Sequence, residues 1–510
     1  MPARCTAAAL LALSASLQPP VPRRTHLKRH ASIDDAALLD AYRAEIAPDA
    51  ADDWWREFVA ATERPPRPAV RCVDDAAAAA LRASTECEEI PWAPGRGYWL
   101  NEEPSKRVAH VAGDYYVQEA AAMVAVAALL RGEDLRRRVV AVDACAAPGG
   151  KTVQLATALR DAGADAVVVA NEPSSSRLGA LVANAVRCGV GPWLRCTRTT
   201  GQKLFAALPK ESADLILLDA PCSGDTLARR EGRGLAKHLR GQPDAASMKE
   251  IVATQLEIVR AAWPCLRPGG ALVYATCSLR PREDEEIVHQ VLKEFDDAAV
   301  EDLAGLAAGG DATLRLWPQA HDSAGFFAAK LRKAGGGGGA AAATDADEDV
   351  ADAARDYLRD AWGVTSLVGP ASSRLVGRGA NLWLAPAAPP LAKNLRYERA
   401  GAKLVEALKV RGRAVPLGQA LRSGRVRATH EFATTLGGHV DAARRASLDD
   451  ASALAYLRGD DVDAAPPSGE PGDQCLVAHG GRVLGLAKVL KGGRLKNQLP
   501  RECVRRDLAF

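Results

Sequence analysis

The sequence predicts an α/β protein with a parallel β-sheet at its centre and a smaller domain on each side. Between residues 109 and 333, short apolar segments alternate with helical patterns, as in repeated β-α units. Glycine-rich or polar turns follow several of these segments directly, where open parallel sheets place their ligands. The 510 residues also exceed one ordinary domain, because domains of about 150 residues suggest roughly three.

Six segments of the central region have the composition of buried strands, and four have helical length and periodicity. The strands are predicted at residues 139–143, 166–171, 194–197, 215–219, 271–276 and 325–331. The helices are predicted at residues 118–130, 151–161, 175–188 and 247–265.

The flanking regions differ from this pattern. Residues 34–108 contain a helical stretch at 38–58 and predict a small N-terminal domain, and residues 109–333 form the catalytic domain. Residues 334–356 hold a glycine run, an alanine run and an acidic cluster, a composition that predicts a flexible linker. The C-terminal region, 357–510, shows helical patterns at 398–410 and 452–457 and a strand pair, 474–478 and 483–489.

The composition argues against an integral membrane protein and against a protein held together by disulfides or a bound metal. The hydrophobic fraction of 48% and charged fraction of 25% are those of a soluble globular protein. No run of about 18 uncharged apolar residues is present, so we expect no membrane span. The 11 cysteines are odd in number and form no C-x-x-C pair, which predicts reduced thiols and no metal.

Residues 1–33 carry five Lys or Arg and no Asp or Glu, a pattern typical of a mitochondrial or plastid transit peptide. A disordered basic tail, or a signal-peptide core at residues 7–16, remains an alternative. We therefore expect an organelle, with the cytoplasm or nucleolus as the other possibility.

A glycine-rich turn follows the first predicted strand. The segment DACAAPGGKT, residues 143–152, lets the backbone approach a ligand closely and exposes amides at a helix start. The second strand ends at Glu172, where an acidic side chain can accept hydrogen bonds from ribose hydroxyls. These two features also fit a dinucleotide enzyme, although the turn lacks G-x-G-x-x-G spacing.

Two thiols end neighbouring strands. Cys222 follows Asp219 after the fourth strand, and Cys277 follows the fifth. Carbon 5 of cytosine is a poor nucleophile, and a thiolate that adds to carbon 6 activates it. A protonated carboxyl such as Asp219 could quench charge near N3, and a second thiol could help the adduct to break down. The alternative is that both cysteines are buried small apolar residues.

Six ordered blocks now carry a family resemblance across most of the chain: YYVQEA, DACAAPGGKT, ANEPSSSR, LLDAPCSGD, ATCSLRPREDE and RLWPQAHDSAGFFAAKL. With them, the sequence resembles the Nop/Sun family of RNA cytosine-5 methyltransferases, and within it the bacterial F-type ribosomal RNA branch. The resemblance implies a Rossmann-like core that depends on S-adenosylmethionine, with a small N-terminal α/β domain and a C-terminal β-rich RNA-binding module.

The resemblance also implies residue roles. Cys277 would attack the base, Cys222 would assist release, Asp219 would lie between cofactor and base, and Lys151 would complete the catalytic set. The cofactor-binding set implied by the resemblance is Cys145, Ala146, Ala147, Pro148, Gly149, Gly150, Lys151, Glu172 and Asp219. Arg177 would support the cofactor or RNA, and Phe326 and Phe327 would lie near the active site or simply pack the sheet.

One departure concerns the adenine. The family keeps an Asp after the third strand, whereas residues 194–210 here contain no carboxylate, and Thr200, Gly201 or Gln202 stands in that place. Gln202 could accept the adenine hydrogen bond instead.

Basic residues indicate RNA contact at two places. One cluster follows the Pro-Cys block and consists of Arg229, Arg230, Arg233, Lys237, His238 and Arg240. The other is the tail 471–510, with eight basic and three acidic residues and a net charge of +5. We expect a monomer whose substrate is RNA, with ribosomal RNA as the favoured class. A transfer-RNA cytosine-5 methyltransferase and a catalytically idle ribosome assembly factor are the alternatives, and S-adenosylmethionine binding distinguishes the idle factor.

Overall fold

The computed structural model describes residues 34–232, 234–307, 313–336, 348–392, 395–464 and 469–508. The leader, residues 1–33, and Arg233 of the basic cluster lie outside the described residues. No helix among the described residues is long and apolar enough to cross a membrane.

The N-terminal domain is a four-stranded antiparallel sheet with helices beside it. Its helices are α1 (Asp35–Ile46), α2 (Asp52–Thr62), α3 (Asp75–Ser84) and α4 (Val108–Val111), and its strands are β1 (Ala69–Cys72), β2 (Cys87–Glu89), β3 (Gly97–Leu100) and β4 (Tyr115–Val117). The order is β2-β3-β1-β4. Because β4 pairs with β1, this domain runs past the boundary expected at residue 108. Pairing with β4 satisfies the second edge of a strand whose residues are all buried.

The central domain contains all six predicted strands and the helices between them. Its helices are α5 (Val124–Leu130), α6 (Gly150–Asp161), α7 (Ser175–Arg187), α8 (Gly201–Ala207), α9 (Ala228–Glu231), α10 (Leu235–Leu239), α11 (Ala245–Ala262), α12 (Glu285–Glu294) and α13 (Pro318–His321). Its strands are β5 (Val139–Asp143), β6 (Ala166–Asn171), β7 (Leu194–Thr197), β8 (Ala213–Asp219), β9 (Leu266–Thr276), β10 (Ala298–Glu301), β11 (Thr313–Leu316) and β12 (Phe326–Lys333).

The central sheet has the order β10-β12-β9-β8-β5-β6-β7, with β11 beside β12. Strands β5 to β9 are parallel, and their residues are buried almost throughout, as expected for a sheet with helices on both faces. Successive strands are added on one side of β5 as far as β7 and then on its other side from β8, so the strand order reverses at β5. Ligands of such sheets bind at this switch point, at the carboxyl ends of the strands.

The C-terminal region holds two further sheets, in the orders β13-β14-β15-β16 and β17-β19-β20-β21-β18. Its strands are β13 (Arg374–Arg378), β14 (Asn381–Ala385), β15 (Ala402–Ala407), β16 (Val426–Ala428), β17 (Arg445–Ser447), β18 (Val462–Asp463), β19 (Gln474–His479), β20 (Arg482–Val489) and β21 (Arg494–Asn497). Its helices are α14 (Glu348–Trp362), α15 (Leu417–Arg422), α16 (His430–Leu436) and α17 (Asp450–Leu457).

Three expectations from the sequence are wrong here. The linker expected at 334–356 overlaps helix α14, because Ala354, Leu358 and Trp362 follow one another at helical spacing and are buried. The helix expected at 398–410 is strand β15, which pairs with β14 and β16. The helix expected from residue 118 begins only at Val124, after a 3-10 turn.

The three parts of the chain are in direct contact. The backbone amide of Cys196 in β7 donates to the carbonyl of Arg399 at 3.0 Å, so the C-terminal region covers the open edge of the central sheet. Arg482 of β20 pairs with Asp114 at 2.7 Å and with Asp74 at 3.3 Å in the N-terminal domain. These contacts fix the flanking domains against the catalytic sheet.

Candidate active site

The glycine-rich turn joins β5 to α6 at the switch point. Gly149 has φ +111°, and an added Cβ would lie 3.0 Å from the Leu181 side chain, so only glycine is unstrained there. Arg177 donates to the Ala147 carbonyl at 2.7 Å, and Asn184 donates to the Pro148 carbonyl at 3.0 Å. Helix α7 therefore holds the turn from outside, which gives Arg177 a supporting role.

The neighbouring strands β8, β5 and β6 each carry a carboxylate at the end beside this turn, and two of these carboxylates belong to Asp143 and Glu172. Glu172 after β6 is buried; it accepts from the Ser174 amide at 2.9 Å and pairs with Arg177 at 3.1 Å. Asp143 at the end of β5 accepts from the Thr152 hydroxyl at 2.6 Å, while its second oxygen is buried without a hydrogen bond. Burial raises the pKa of Asp143 to about 6, although Thr152 opposes the shift. Sequence reasoning assigned no role to Asp143.

Asn171 is a second residue that sequence reasoning passed over. Its amide nitrogen donates to the carbonyls of Ala144 at 3.0 Å and Thr199 at 2.9 Å. Its amide oxygen accepts from the Thr197 hydroxyl at 2.9 Å. One buried side chain thus joins the ends of β5, β6 and β7, and its position at a strand end was the only signal in the sequence.

The two thiols meet at the ends of β8 and β9. The sulfurs of Cys222 and Cys277 are 3.0 Å apart, and both residues are partly buried. Both cysteines are free thiols rather than a disulfide. The hydrogen bond with Cys277, together with burial, raises the pKa of Cys222 well above its usual value. The predicted convergence of the thiols on one point is therefore present.

Lys151 and Asp219 form an ion pair between the turn and β8. The Lys151 ammonium donates to Asp219 at 2.7 Å, and it lies 5.0 Å from the centre of the Phe326 ring. Burial alone would lower the pKa of Lys151, but Asp219 and Cys277 outweigh it and raise the pKa. The ion pair holds Asp219 at the end of β8 against the glycine-rich turn, next to the thiols. Phe326 borders the site, whereas Phe327 packs the sheet beneath Arg315.

The place of the missing adenine ligand is occupied by the start of α8. Thr200 caps this helix, and its hydroxyl accepts from the Lys203 amide at 3.4 Å. Gln202 donates its amide to Glu257 at 3.2 Å on the neighbouring helix. The Gln202 amide oxygen has no hydrogen-bond partner among the described residues and stays available as an acceptor.

The residues around the turn suit S-adenosylmethionine in their chemistry. The ligand carries a sulfonium, an ammonium and ribose hydroxyls, which call for acceptors and negative charge. Asp143, Glu172 and Asp219 supply these at adjacent strand ends, and one Asp143 oxygen is buried without a hydrogen bond among the described residues. Among the described residues, no group of three or more His, Cys, Asp or Glu could hold a metal ion.

Part of the basic cluster after Cys222 holds the fold together. Arg229 is buried and donates to Asp322 at 2.6 Å and to the Ser323 carbonyl at 2.7 Å. His238 bonds the Gly224 carbonyl at 3.0 Å, and Arg240 pairs with Asp35. These three basic residues therefore have structural partners within the protein.

Arg230 and Lys237 are the members of the cluster that suit RNA contact. Both side chains are exposed, and neither makes a hydrogen bond or ion pair with the part of the chain that the structure describes. Their positive charges are therefore available to phosphate groups beside the site.

A doubly wound sheet with a glycine turn, a buried acidic residue after the second strand and two adjoining thiols at strand ends is the arrangement of an α/β methyltransferase with two cysteines. Family models match in three places: 16S rRNA methyltransferase RsmB/F at residues 132–332, the RsmF N-terminal domain at 41–120 and the RsmF PUA domain at 443–505. Ribosomal RNA small subunit methyltransferase F of Serratia proteamaculans is 34% identical over 92% of this chain and 96% of that protein. The chain belongs to this family of ribosomal RNA methyltransferases.

Two further comparisons agree with this assignment. The methyltransferase F of Aeromonas salmonicida is 34% identical over 89% of this chain and 94% of that protein. A crystal structure of PH0851 superposes with a TM-score of 0.51 at 24% identity, over 60% of this chain and 70% of that chain. The structural similarity supports the fold, and the predicted fold class and enzyme class are confirmed.

Proposed function

We propose that this protein transfers a methyl group from S-adenosylmethionine to carbon 5 of a cytosine in small-subunit ribosomal RNA, with Cys277 as the nucleophile. The observation that carries the proposal is the 3.0 Å approach of two thiols beside the Lys151–Asp219 ion pair. The names of the relatives, ribosomal RNA small subunit methyltransferases, support the choice of RNA.

In the first step, the Cys277 thiol loses its proton to solvent and its sulfur forms a bond to carbon 6, while the electron pair of the C5–C6 double bond becomes nucleophilic at carbon 5. Negative charge then develops toward N3, where the Lys151 ammonium, oriented by Asp219, can donate a hydrogen bond. The bound cofactor supplies an electrophilic methyl group. Carbon 5 would take that methyl as the bond from the methyl group to the sulfonium sulfur breaks and a neutral thioether leaves, while the Cys277 sulfur remains on carbon 6.

In the second step, Cys222 takes the proton from carbon 5. The electron pair of that C–H bond restores the C5–C6 double bond as the bond between carbon 6 and Cys277 breaks. The Cys222 sulfur lies 3.0 Å from Cys277, on a different strand end, which suits a group that acts beside the adduct. A target base in structured RNA must leave its stack to reach this point.

Substitution of each thiol tests the assignment. Cys277→Ala should abolish both methylation and the covalent RNA adduct, because no nucleophile remains. Cys222→Ala should slow turnover by about 100-fold or more, the range of a missing general base, while the adduct accumulates. Transfer of labelled methyl and a denaturing gel measure the two effects. Identical behaviour of the two variants would mean that the thiols are wrongly assigned.

Cofactor binding tests the rival assembly-factor role. Calorimetry of the full chain should detect S-adenosylmethionine binding, with or without RNA. No binding under either condition would favour an idle factor, since Thr200, Gly201 or Gln202 stands where the family keeps its adenine-binding Asp.

We also propose that residues 1–33 direct the protein to a plastid or mitochondrion, so that an organelle ribosome supplies the RNA. Five basic residues and no acidic residue support this proposal. A leader–fluorescent protein fusion that stays in the cytoplasm or nucleolus would contradict it.

A further inference from the structure

Glu283 is a buried carboxylate at the base of the thiol pair. It lies in the turn before α12, six residues after Cys277, and has no exposed surface. It belongs to neither the cofactor turn nor the pair of reacting sulfurs. A buried carboxylate has a high free-energy cost unless hydrogen bonds satisfy it, so the partners of Glu283 indicate its role.

The carboxylate of Glu283 bonds both loops that carry the thiols. One oxygen accepts from the Ser223 amide at 2.8 Å, and the other accepts from the Ser223 hydroxyl. The Ser278 hydroxyl donates at 2.9 Å to the oxygen that the Ser223 hydroxyl also reaches. Ser223 directly follows Cys222, and Ser278 directly follows Cys277.

Two more contacts anchor Glu283 itself. Gln255 of α11 donates its amide to Glu283 at 3.1 Å and to the Pro221 carbonyl at 3.0 Å. The hydroxyl of Tyr274 in β9 donates to the Glu283 main-chain carbonyl. The residue is therefore fixed from the helix and from the strand, and its carboxylate can act as a rigid connection between two loops.

We propose that Glu283 is the positioning residue that sets the distance between the Cys222 and Cys277 sulfurs. This inference rests on the proposed function. It assigns to Glu283 no contact with RNA or cofactor. Its carboxylate accepts several donors at once, which an amide of the same shape cannot do, because one amide position is itself a donor.

Glu283→Gln tests this role. The amide keeps the volume but loses the negative charge. Turned toward the Ser223 amide it opposes donor to donor, and turned toward the serine hydroxyls it leaves them only weaker, neutral hydrogen bonds, so the connection between the two loops should weaken. Attack by Cys277 should continue, while proton removal by Cys222 should slow by about tenfold or more, as expected when a charged hydrogen bond is removed. The covalent RNA adduct should therefore accumulate, as in Cys222→Ala.

A second readout needs neither RNA nor cofactor. Copper-phenanthroline with air oxygen removes one hydrogen from each thiol and forms a disulfide, and peptide mass spectrometry quantifies the Cys222–Cys277 product. The native chain should form this disulfide at least about fivefold faster than Glu283→Gln, because the reaction requires close sulfurs. Equal rates in the two proteins would overturn the inference.

Asp214→Asn is the matched control. Asp214 is also a fully buried carboxylate; it accepts from the Val140 amide at 2.7 Å and pairs with Arg137 and Arg267. It lies at the start of β8, whereas Cys222 follows the end of that strand. This variant should lose stability without adduct accumulation or slower disulfide formation, which separates positioning from general destabilisation.

The outcomes also separate the two proposals. If native protein and Cys222→Ala behave as proposed but Glu283→Gln forms no excess adduct, only the Glu283 inference fails. If no variant forms an adduct while disulfide rates differ as expected, the proposed mechanism fails and Glu283 keeps its role. Should Glu283→Gln not fold, Ser278→Ala and Ser223→Ala remove single donors and should each show a smaller change in both readouts.

Discussion

The sulfurs of Cys222 and Cys277 are joined by a hydrogen bond, yet the proposed mechanism gives them different roles. Cys222 is held near Cys277 at 3.0 Å, and this hydrogen bond and burial both favour its neutral form by raising its pKa. A protonated Cys222 does not compete with Cys277 for carbon 6. It must lose its proton before it can take one from carbon 5, so its pKa controls the second step rather than the first.

The rate of adduct breakdown should therefore rise with pH. In the adduct Cys277 is bonded to carbon 6 and no longer shares a proton with Cys222, but burial still raises the pKa of Cys222. Near neutral pH only a small fraction of Cys222 is therefore thiolate, and that fraction grows about tenfold per pH unit. Single-turnover adduct decay on denaturing gels should show this slope in the native protein. Cys222→Ala should show slow decay that does not follow pH. A flat native profile would contradict the role of Cys222 as the base.

The sequence predicted the thiols, Glu172 and the glycine turn because each directly follows an apolar strand, and strand ends meet at one edge of a parallel sheet. It could not predict the Lys151–Asp219 ion pair, because that 2.7 Å contact joins two separate elements. The role of Glu283 could not be predicted for the same reason, because three of its hydrogen bonds come from residues 5 to 60 positions away.

Helix α1 is the element that connects the N-terminal domain to the thiol loops. Tyr42 donates to the buried carboxylate of Asp225, which also accepts from the Leu279 amide at 3.2 Å. Arg280 pairs with Glu45 on the same helix. The loops after Cys222 and Cys277 are thus held by α1 as well as by the connection through Glu283.

Tyr42→Phe should lower the stability of the protein and weaken this anchor. The substitution leaves a buried Asp225 oxygen with one donor fewer, at a cost of about 1–3 kcal/mol. Chemical denaturation measures that cost, and methyl transfer should fall with it. Tyr115→Phe is the matched control, because its hydroxyl donates at 2.8 Å to the neutral Pro104 carbonyl. A larger loss of stability in the control would contradict the importance of Asp225.

At the level of elements, sequence patterns predicted the central domain better than the flanks. Strands β5 to β9 are buried on both faces, so their apolar runs are unambiguous. The apolar residues of strand β15 also fit helical spacing, so the pattern predicts a helix, whereas pairing with β14 and β16 makes the segment a strand. The start of helix α14 is acidic, so composition predicts a linker there although the helix has a buried face.

Across the whole molecule, exposed positive charge lies on more than one domain. Arg230 and Lys237 are exposed in the segment after Cys222. Lys488 of β20 and Lys496 of β21 are exposed and directly opposite each other in the register. Like charges in such a position destabilise a sheet, so an anion between them would offset a cost. Both pairs are exposed positive charges that the phosphate groups of RNA could contact.

Charge reversal should distinguish these RNA-facing cations from structural ones. Arg230→Glu with Lys237→Glu, and separately Lys488→Glu with Lys496→Glu, should each weaken RNA binding. Each pair should also lower the slope of log affinity against log salt by about one for every phosphate that is no longer neutralised. Unfolding stability should change little, because these side chains are exposed.

Two controls complete the comparison. Lys293→Glu, at the end of α12 away from the strand ends that carry the thiols, should leave the salt slope unchanged. Arg229→Ala should destabilise the protein, because Asp322 and the Ser323 carbonyl lose a buried partner. If the Lys488 and Lys496 reversals left RNA affinity and its salt dependence unaltered, the RNA path would have to avoid the last sheet. The central sheet and the segment after Cys222 would then have to account for binding alone.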